Sequence, residues 1–216
     1  MNLLATNGLT RIPIDYRVYE GKTAQITKND YAQLMLTKAK DRGLEPHYVM
    51  ADSWFGGLEN MKHIVKLGWK FIMGIKENRL VSEVQGTYRA VSQLDWTEKQ
   101  VRSVWLKGFG QVLVARLVYK NGDTRYIATN DLTLTEYEKL SIQAKKRWSI
   151  EEFHRGIKKA TGIEKRYSIV KQSQLNHIFA SFVTFVRMKF ERIKTGVSWY
   201  EQKARRIRMG LERGLA

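Results

Sequence analysis

The sequence predicts an α/β fold in which a mixed β-sheet is flanked by helices. An apolar pattern of helical period covers residues 28–42, a short strand-like run leads to Asp52, and an alternating run covers residues 69–75 after a second helical segment at 58–67. Strands that are separated by helices in this order imply parallel neighbours within one sheet.

The first elements are predicted to be a hairpin followed by a helix. Strand patterns cover residues 1–6 and 12–19, and the helix at 28–42 ends at Gly43, because glycine commonly follows the last helical turn. The side chains expected on the buried face of this helix are Tyr31, Leu34, Met35 and Ala39.

The following strand is predicted to carry an acidic residue at its carboxyl end. Residues 47–52 end at Asp52, and a glycine turn at Gly56 follows. Active-site groups of open α/β sheets commonly lie at this end of a strand. On its own, Asp52 is more simply explained as a residue that forms the turn before Ser53.

Residues 77–135 have a different pattern, in which apolar and polar residues alternate over short runs. Strands are predicted at 101–107, 111–120 and 124–129, and the Asn121-Gly122 pair between the last two is a strong hairpin signal. We therefore expect a β-rich insertion here.

A second acidic element is predicted to be a helix over residues 147–158. At helical spacing, Arg147, Glu151 and Lys158 share one stripe, and apolar residues occupy the opposite side. Those apolar residues are Ile150, Phe153 and Ile157. Alone, Glu151 would be an ordinary helical partner of Arg147.

Four segments describe the predicted organisation of the chain. They are the first part of the core (1–76), the β-rich insertion (77–135), the second part of the core with the Glu151 helix (136–193), and a basic C-terminal tail (194–216).

Composition indicates a folded protein with a polyanionic partner. The 216 residues are 43% hydrophobic and 11% aromatic, with a formal net charge of +17. Nucleic acid is the leading partner for such a surface, ahead of an acidic membrane surface. The chain has no cysteine, which excludes disulfides and Cys-based zinc sites.

Neither a secretory signal nor a membrane span is predicted. The first ten residues lack a basic start and a long apolar run, and the most apolar stretch, 175–186, is interrupted by polar residues and is too short to cross a bilayer. We expect a buried helix there and a cytoplasmic protein that does not contact a membrane.

Together, the two acidic motifs resemble the DDE transposases of bacterial insertion sequences, specifically the insertion-sequence-four type. The Asp-Ser-x-Phe/Tyr-Gly context of that family is matched from Asp52 to Gly56. Its Tyr-x2-Arg-x3-Glu-x6-Lys signature is matched by Arg147, Glu151 and Lys158, whereas its Tyr position is Ala144. The missing phenol puts one DNA contact of the family in doubt.

The resemblance implies a ribonuclease H-like core and a metal-dependent reaction on DNA. Asp52 and Glu151 would be the second and third catalytic carboxylates, binding Mg²⁺ or Mn²⁺ in a two-metal site that cleaves and joins DNA strands. Arg147, Lys158 and Arg155 would contact DNA phosphates at the transposon ends. The alternative for these cations is a solvated basic face.

The resemblance also places the first catalytic Asp on a central strand upstream of the hairpin at residues 1–19. We therefore expect a C-terminal fragment of a transposase that lacks this strand. Without the first Asp, one bridging ligand of the family's Mg²⁺ or Mn²⁺ site is gone, so we expect the two-metal geometry to fail in this fragment, and whether it acts as an enzyme stays open. Asp15 is a poor substitute because it falls within the hairpin itself.

Three functional readings follow from this expectation. The first is a truncated DDE transposase that is inactive alone. The second is a non-enzymatic DNA-binding product that competes with or inhibits an intact transposase. The third is the non-functional product of a pseudogene, because a sheet without its central strand exposes strand edges.

Histidine and tryptophan side chains carry weaker expectations. His154 could neighbour a metal site, but a polar surface histidine is the simpler interpretation. Core packing is expected of Trp54, Trp105 and Trp148, with stacking on an unpaired base as the alternative.

Overall fold

The fold is taken from a computed structural model that describes residues 1–8, 10–19, 21, 25–84, 86–165 and 170–214. The strands are β1 (Asn2–Thr6), β2 (Arg11–Tyr16), β3 (Val49–Ala51), β4 (Phe71–Ile75), β5 (Leu80–Ser82), β6 (Arg89–Ala90), β7 (Val101–Leu106), β8 (Gly110–Val118) and β9 (Thr124–Thr129). The helices are α1 (Lys28–Asp41), α2 (Leu58–Lys66), α3 (Tyr137–Lys145), α4 (Ser149–Thr161), α5 (Lys171–Thr195) and α6 (Trp199–Gly214).

The chain divides into two compact units. The first unit holds Met1 and Tyr19–Arg147, and the second holds Asn2–Val18 and Trp148–Ala216. The predicted organisation into four segments stays a prediction.

The first unit is built on a seven-stranded sheet in the order β3-β4-β9-β8-β7-β5-β6. Strands β3 and β4 are parallel and are joined through α2, whereas β4, β9, β8 and β7 pair antiparallel with their neighbours. The predicted α/β class, a mixed sheet flanked by helices, is confirmed. The strands of the β-rich segment continue the sheet of β3 and β4, because β9 pairs directly with β4.

Helix α1 buries part of the predicted face, on which Tyr31 is half-buried. Met35, Leu36 and Ala39 are buried, whereas Leu34 is 45% exposed. The prediction for Leu34 was wrong, and Leu36 takes its place. A Thr27–Asp30 capping box fixes the start of the helix, since each residue accepts a hydrogen bond from the backbone of the other.

The sheet is anchored at the end opposite Asp52 by a buried carboxylate. Asp131, which is 3% exposed, accepts hydrogen bonds from the Tyr48 hydroxyl at 2.6 Å and the Thr133 hydroxyl at 2.7 Å. Lys70 lies 3.0 Å from the same carboxylate. Burial alone would raise the pKa of Asp131, but these donors lower it to about 2, and burial and the bond to Asp131 raise the pKa of Tyr48 to about 12.

This carboxylate predicts an acid-sensitive contribution to stability. A carboxyl whose pKa is depressed in the folded state stabilises the protein above its unfolded pKa. We expect about 2 kcal/mol of stability to be lost as the pH falls from about 4 to about 2. Urea unfolding at several pH values should show this loss in the wild type and a smaller loss in Asp131→Asn. Identical pH profiles for the two proteins would contradict the assignment.

The second unit packs three helices with a separate two-stranded sheet. Strands β1 and β2 are antiparallel, and the Tyr16 ring stacks on Phe182 of α5 with centroids 4.9 Å apart. The core of this unit is formed by Phe153, Ile157, Ala160, Phe182, Phe185 and Met188. The predicted basic tail is largely the helix α6.

The apolar stretch at 175–186 lies within α5. Among the helices that the structure describes, none is both long enough and apolar enough to cross a membrane.

Candidate functional site

Asp52 lies immediately after β3, in an exposed turn. Its Oδ1 accepts a hydrogen bond from the backbone N–H of Trp54 at 3.0 Å, and its carbonyl oxygen accepts one from the N–H of Phe55 at 3.2 Å. The carboxylate therefore shapes its own turn, as an Asx turn does, and it stands at the strand end where the sequence predicted it.

Two glycines let this turn lie directly against β4. A Cβ on Gly56 would lie 2.0 Å from the carbonyl oxygen of Gly74. A Cβ on Gly74 would lie 2.7 Å from the backbone nitrogen of Ser53 and 3.0 Å from the carbonyl carbon of Asp52. Since these partners are backbone atoms, no side-chain movement can relieve such contacts, and the path of the Asp52 turn requires both glycines.

Polar contacts hold the same turn to the helices of its unit. Arg79 donates a hydrogen bond of 2.9 Å to the carbonyl oxygen of Gly56. The buried Asn60 amide donates to the Phe55 carbonyl and to the Asn29 side chain, both at 2.9 Å. Asn60 in turn accepts a hydrogen bond of 3.0 Å from Gln33 of α1. The sequence did not reveal Asn60, because its role depends on contacts that cross between α1, α2 and the turn.

The expectation that three tryptophans pack in the core was wrong. The exposed fractions are 64% for Trp54, 36% for Trp105 and 52% for Trp148. The Lys28 ammonium lies 5.5 Å from the Trp54 ring centroid, so the ring beside Asp52 contacts a cation and solvent. A flat exposed ring remains available for stacking.

Glu151 lies in the first turn of α4 and is half-buried. Phe153 and Ile157 are buried on the other side of the helix, and Ile150 packs partly against the same core. The predicted apolar face of this helix is therefore confirmed.

The three predicted DNA-contacting cations occupy different settings. Arg147 lies in a 3-10 turn, Lys146–Trp148, that leads directly into α4, so the predicted helix begins as a 3-10 turn before it becomes α-helical. Lys158 forms an ion pair of 2.5 Å with Glu164. Arg155 lines a cavity of the second unit.

His154 is not the surface histidine that the sequence indicated. It is half-buried, and its Nε2 lies 2.9 Å from the Asn2 side-chain nitrogen. Burial lowers the pKa of His154, opposed in part by the nearby charge of Glu151. Asn2 precedes His154 by 152 residues, and a partner so distant in the chain leaves no local signal.

Asp52 and Glu151 belong to different compact units, so the contacts of each are described within its own unit. Carboxylate oxygens are the ligands that Mg²⁺ and Mn²⁺ prefer, so both residues are of a type that can bind such a metal. Within the described ranges, however, the side chains form no group of three or more potential metal ligands.

Comparison with known proteins identifies the family. A family model described as the transposase DDE domain matches residues 2–186. No curated protein matches the chain. A piggyBac transposase, solved by cryo-EM as a synaptic complex with hairpin DNA, is similar with 8% sequence identity and a TM-score of 0.47, over 81% of this chain and 35% of that one. The chain thus spans about a third of the length of that transposase. Because the family model covers most of its length, the chain belongs to the transposase DDE domain family.

Proposed function

We propose that this chain works as part of a DDE transposase of the insertion-sequence-four type, in which it binds transposon ends and contributes carboxylates to DNA strand cleavage and transfer. The observation that carries the proposal is the family match over residues 2–186. The Asp52 and Glu151 motifs within that range support the finer assignment.

Asp52 and Glu151 are proposed as ligands for Mg²⁺ or Mn²⁺. Bound divalent metals supply activation of the attacking oxygen and stabilisation of the leaving oxygen. The role of this chain is to hold each carboxylate in place. Gly56, Gly74 and Asn60 fix the turn that carries Asp52, and the buried Phe153 fixes the helix that carries Glu151.

DNA is the proposed partner because the chain carries a formal charge of +17. Arg147, Arg155 and Lys158 are proposed to contact phosphates. Lys158 would exchange its exposed pair with Glu164 for a phosphate at small cost, since solvated ion pairs contribute at most about 1 kcal/mol. We place the protein in the cytoplasm, where a transposase meets its DNA.

The 216 residues are proposed not to cleave DNA alone, because the resemblance assigns only two of the three carboxylates to them. Purified protein should leave supercoiled plasmid intact with Mg²⁺ or Mn²⁺. Nicking that needs metal and disappears in Asp52→Ala would overturn this part of the proposal. Nicking that survives in Asp52→Ala would indicate a contaminating nuclease.

A second candidate function is competition with an intact transposase, favoured by the strong positive charge of the chain. Anisotropy titrations should then show tighter binding to terminal inverted repeats than to random duplex. Equal affinity for both DNAs, with the same steep salt dependence, would reduce the interaction to nonspecific charge.

A further inference from the structure

A basic cavity lies within the second unit, apart from the stripe of α4 that carries Glu151. It has a volume of about 220 Å³ and is formed by α4, α5, the start of α6 and one side chain of β2. The cations that line it are Arg11, Arg155, Lys159, Lys189 and Arg192.

The charges around this cavity are not balanced. Glu152 is the acidic side chain among the described residues that line it, and Glu152 is ion-paired with Arg11. Lys189 is half-buried, and burial together with the nearby charges of Arg192 and Arg11 lowers the pKa of Lys189. Cations that lie close together repel one another, and an anion bound among them would relieve that repulsion.

Donors and space for an anion are both present. The Arg11 Nε–H is buried and has no hydrogen-bond acceptor in the described part of the protein. Gly156 lines the cavity without a side chain, and a Cβ there would lie 3.3 Å from the Phe185 ring. The volume corresponds to about seven water molecules, which is enough for a phosphate group with part of its sugar.

The cavity faces a different direction from Glu151. Each residue of an α-helix turns by about 100°, so the cavity residues Glu152, Arg155 and Lys159 form a stripe beside the one shared by Glu151 and Lys158. A ligand in the cavity would therefore lie off the carboxylate face.

We propose that this cavity binds a phosphate group of a DNA strand, at a position separate from the carboxylate stripe of α4. The inference rests on the proposed function, since the phosphate is assigned to DNA. Its role would be to hold a DNA strand along the α4–α5 side of the second unit.

The test compares two charge-matched double variants in anisotropy titrations over a series of salt concentrations. Lys159→Gln/Arg192→Gln removes two cavity cations, and Lys38→Gln/Lys66→Gln removes two exposed cations of the other unit. We expect the cavity variant to bind DNA about tenfold more weakly than the wild type. The slope of the logarithm of the binding constant against the logarithm of the salt concentration should become shallower by about one. The control variant should show smaller changes in both. Circular dichroism establishes folding, and Lys189→Gln serves as a second cavity variant.

Each outcome separates the inference from the proposed function. Equal losses in the two double variants would overturn the cavity site and leave DNA binding intact. If the wild type binds no DNA, the proposed function fails, and thermal unfolding with inorganic phosphate becomes the test. Stabilisation of the wild type beyond the cavity variants would support the site with free phosphate as its ligand, and equal stabilisation would overturn it.

Discussion

Gly56→Ala is expected to lower the free energy of unfolding by about 3 kcal/mol, the effect of forcing a methyl group into a backbone contact. The new Cβ would lie 2.0 Å from the Gly74 carbonyl oxygen, so either the turn or β4 must move. Urea unfolding of the purified protein measures the loss.

The neighbouring glycine provides a matched control. A Cβ on Gly57 would meet nothing within 4 Å, and its φ of −79° suits any residue. Gly57→Ala should therefore change stability by no more than about 1 kcal/mol. Similar losses of stability in the two variants would show that the close contact between Gly56 and β4 does not determine which residue this position of the turn accepts. The contrast matters for function because the turn that Gly56 packs against β4 is the one that carries Asp52.

Phe153→Ala should cost about 4 kcal/mol, the range found for removing a fully buried aromatic ring. Phe153 is 1% exposed, and its ring centroid lies 5.2 Å from Phe185 and 5.8 Å from Phe182. These contacts hold the helix that carries Glu151 against α5.

Phe179 offers the same substitution on the surface of the same unit. It is 59% exposed, so Phe179→Ala should change stability by about 0.5 kcal/mol or less. Chemical denaturation followed by circular dichroism compares the two variants. A loss at Phe179 as large as that at Phe153 would contradict the core described for this unit.

Local patterns predicted the elements well. The helix that carries Glu151 and the short strand before Asp52 both follow from spacing, since the period of apolar residues reports which side of an element is buried. Residues 101–129 were also recognised as strands. The sequence did not predict that β9 pairs directly with β4, because strand order depends on contacts between distant segments.

The misses have a common physical cause. The Asn2 contact of His154, the approach of Gly56 to Gly74 and the hydrogen bonds of Asn60 join residues that are distant in the chain or lie in different elements. Leu34 was misplaced because the buried side of α1 depends on how this helix packs against α2. The sequence of α1 alone does not fix that packing.

The most direct test of the central claim measures DNA affinity with a metal chelator and with Mn²⁺, at constant ionic strength. The proteins to compare are the wild type, Asp52→Asn/Glu151→Gln, and a control, Glu98→Gln/Glu212→Gln, which neutralises one exposed acid in each unit. If the two carboxylates bind metal beside DNA, Mn²⁺ should strengthen binding by about 1 kcal/mol, roughly fivefold, in the wild type and the control but not in Asp52→Asn/Glu151→Gln. An equal response to Mn²⁺ in all three proteins would contradict the assignment of Asp52 and Glu151 as catalytic carboxylates.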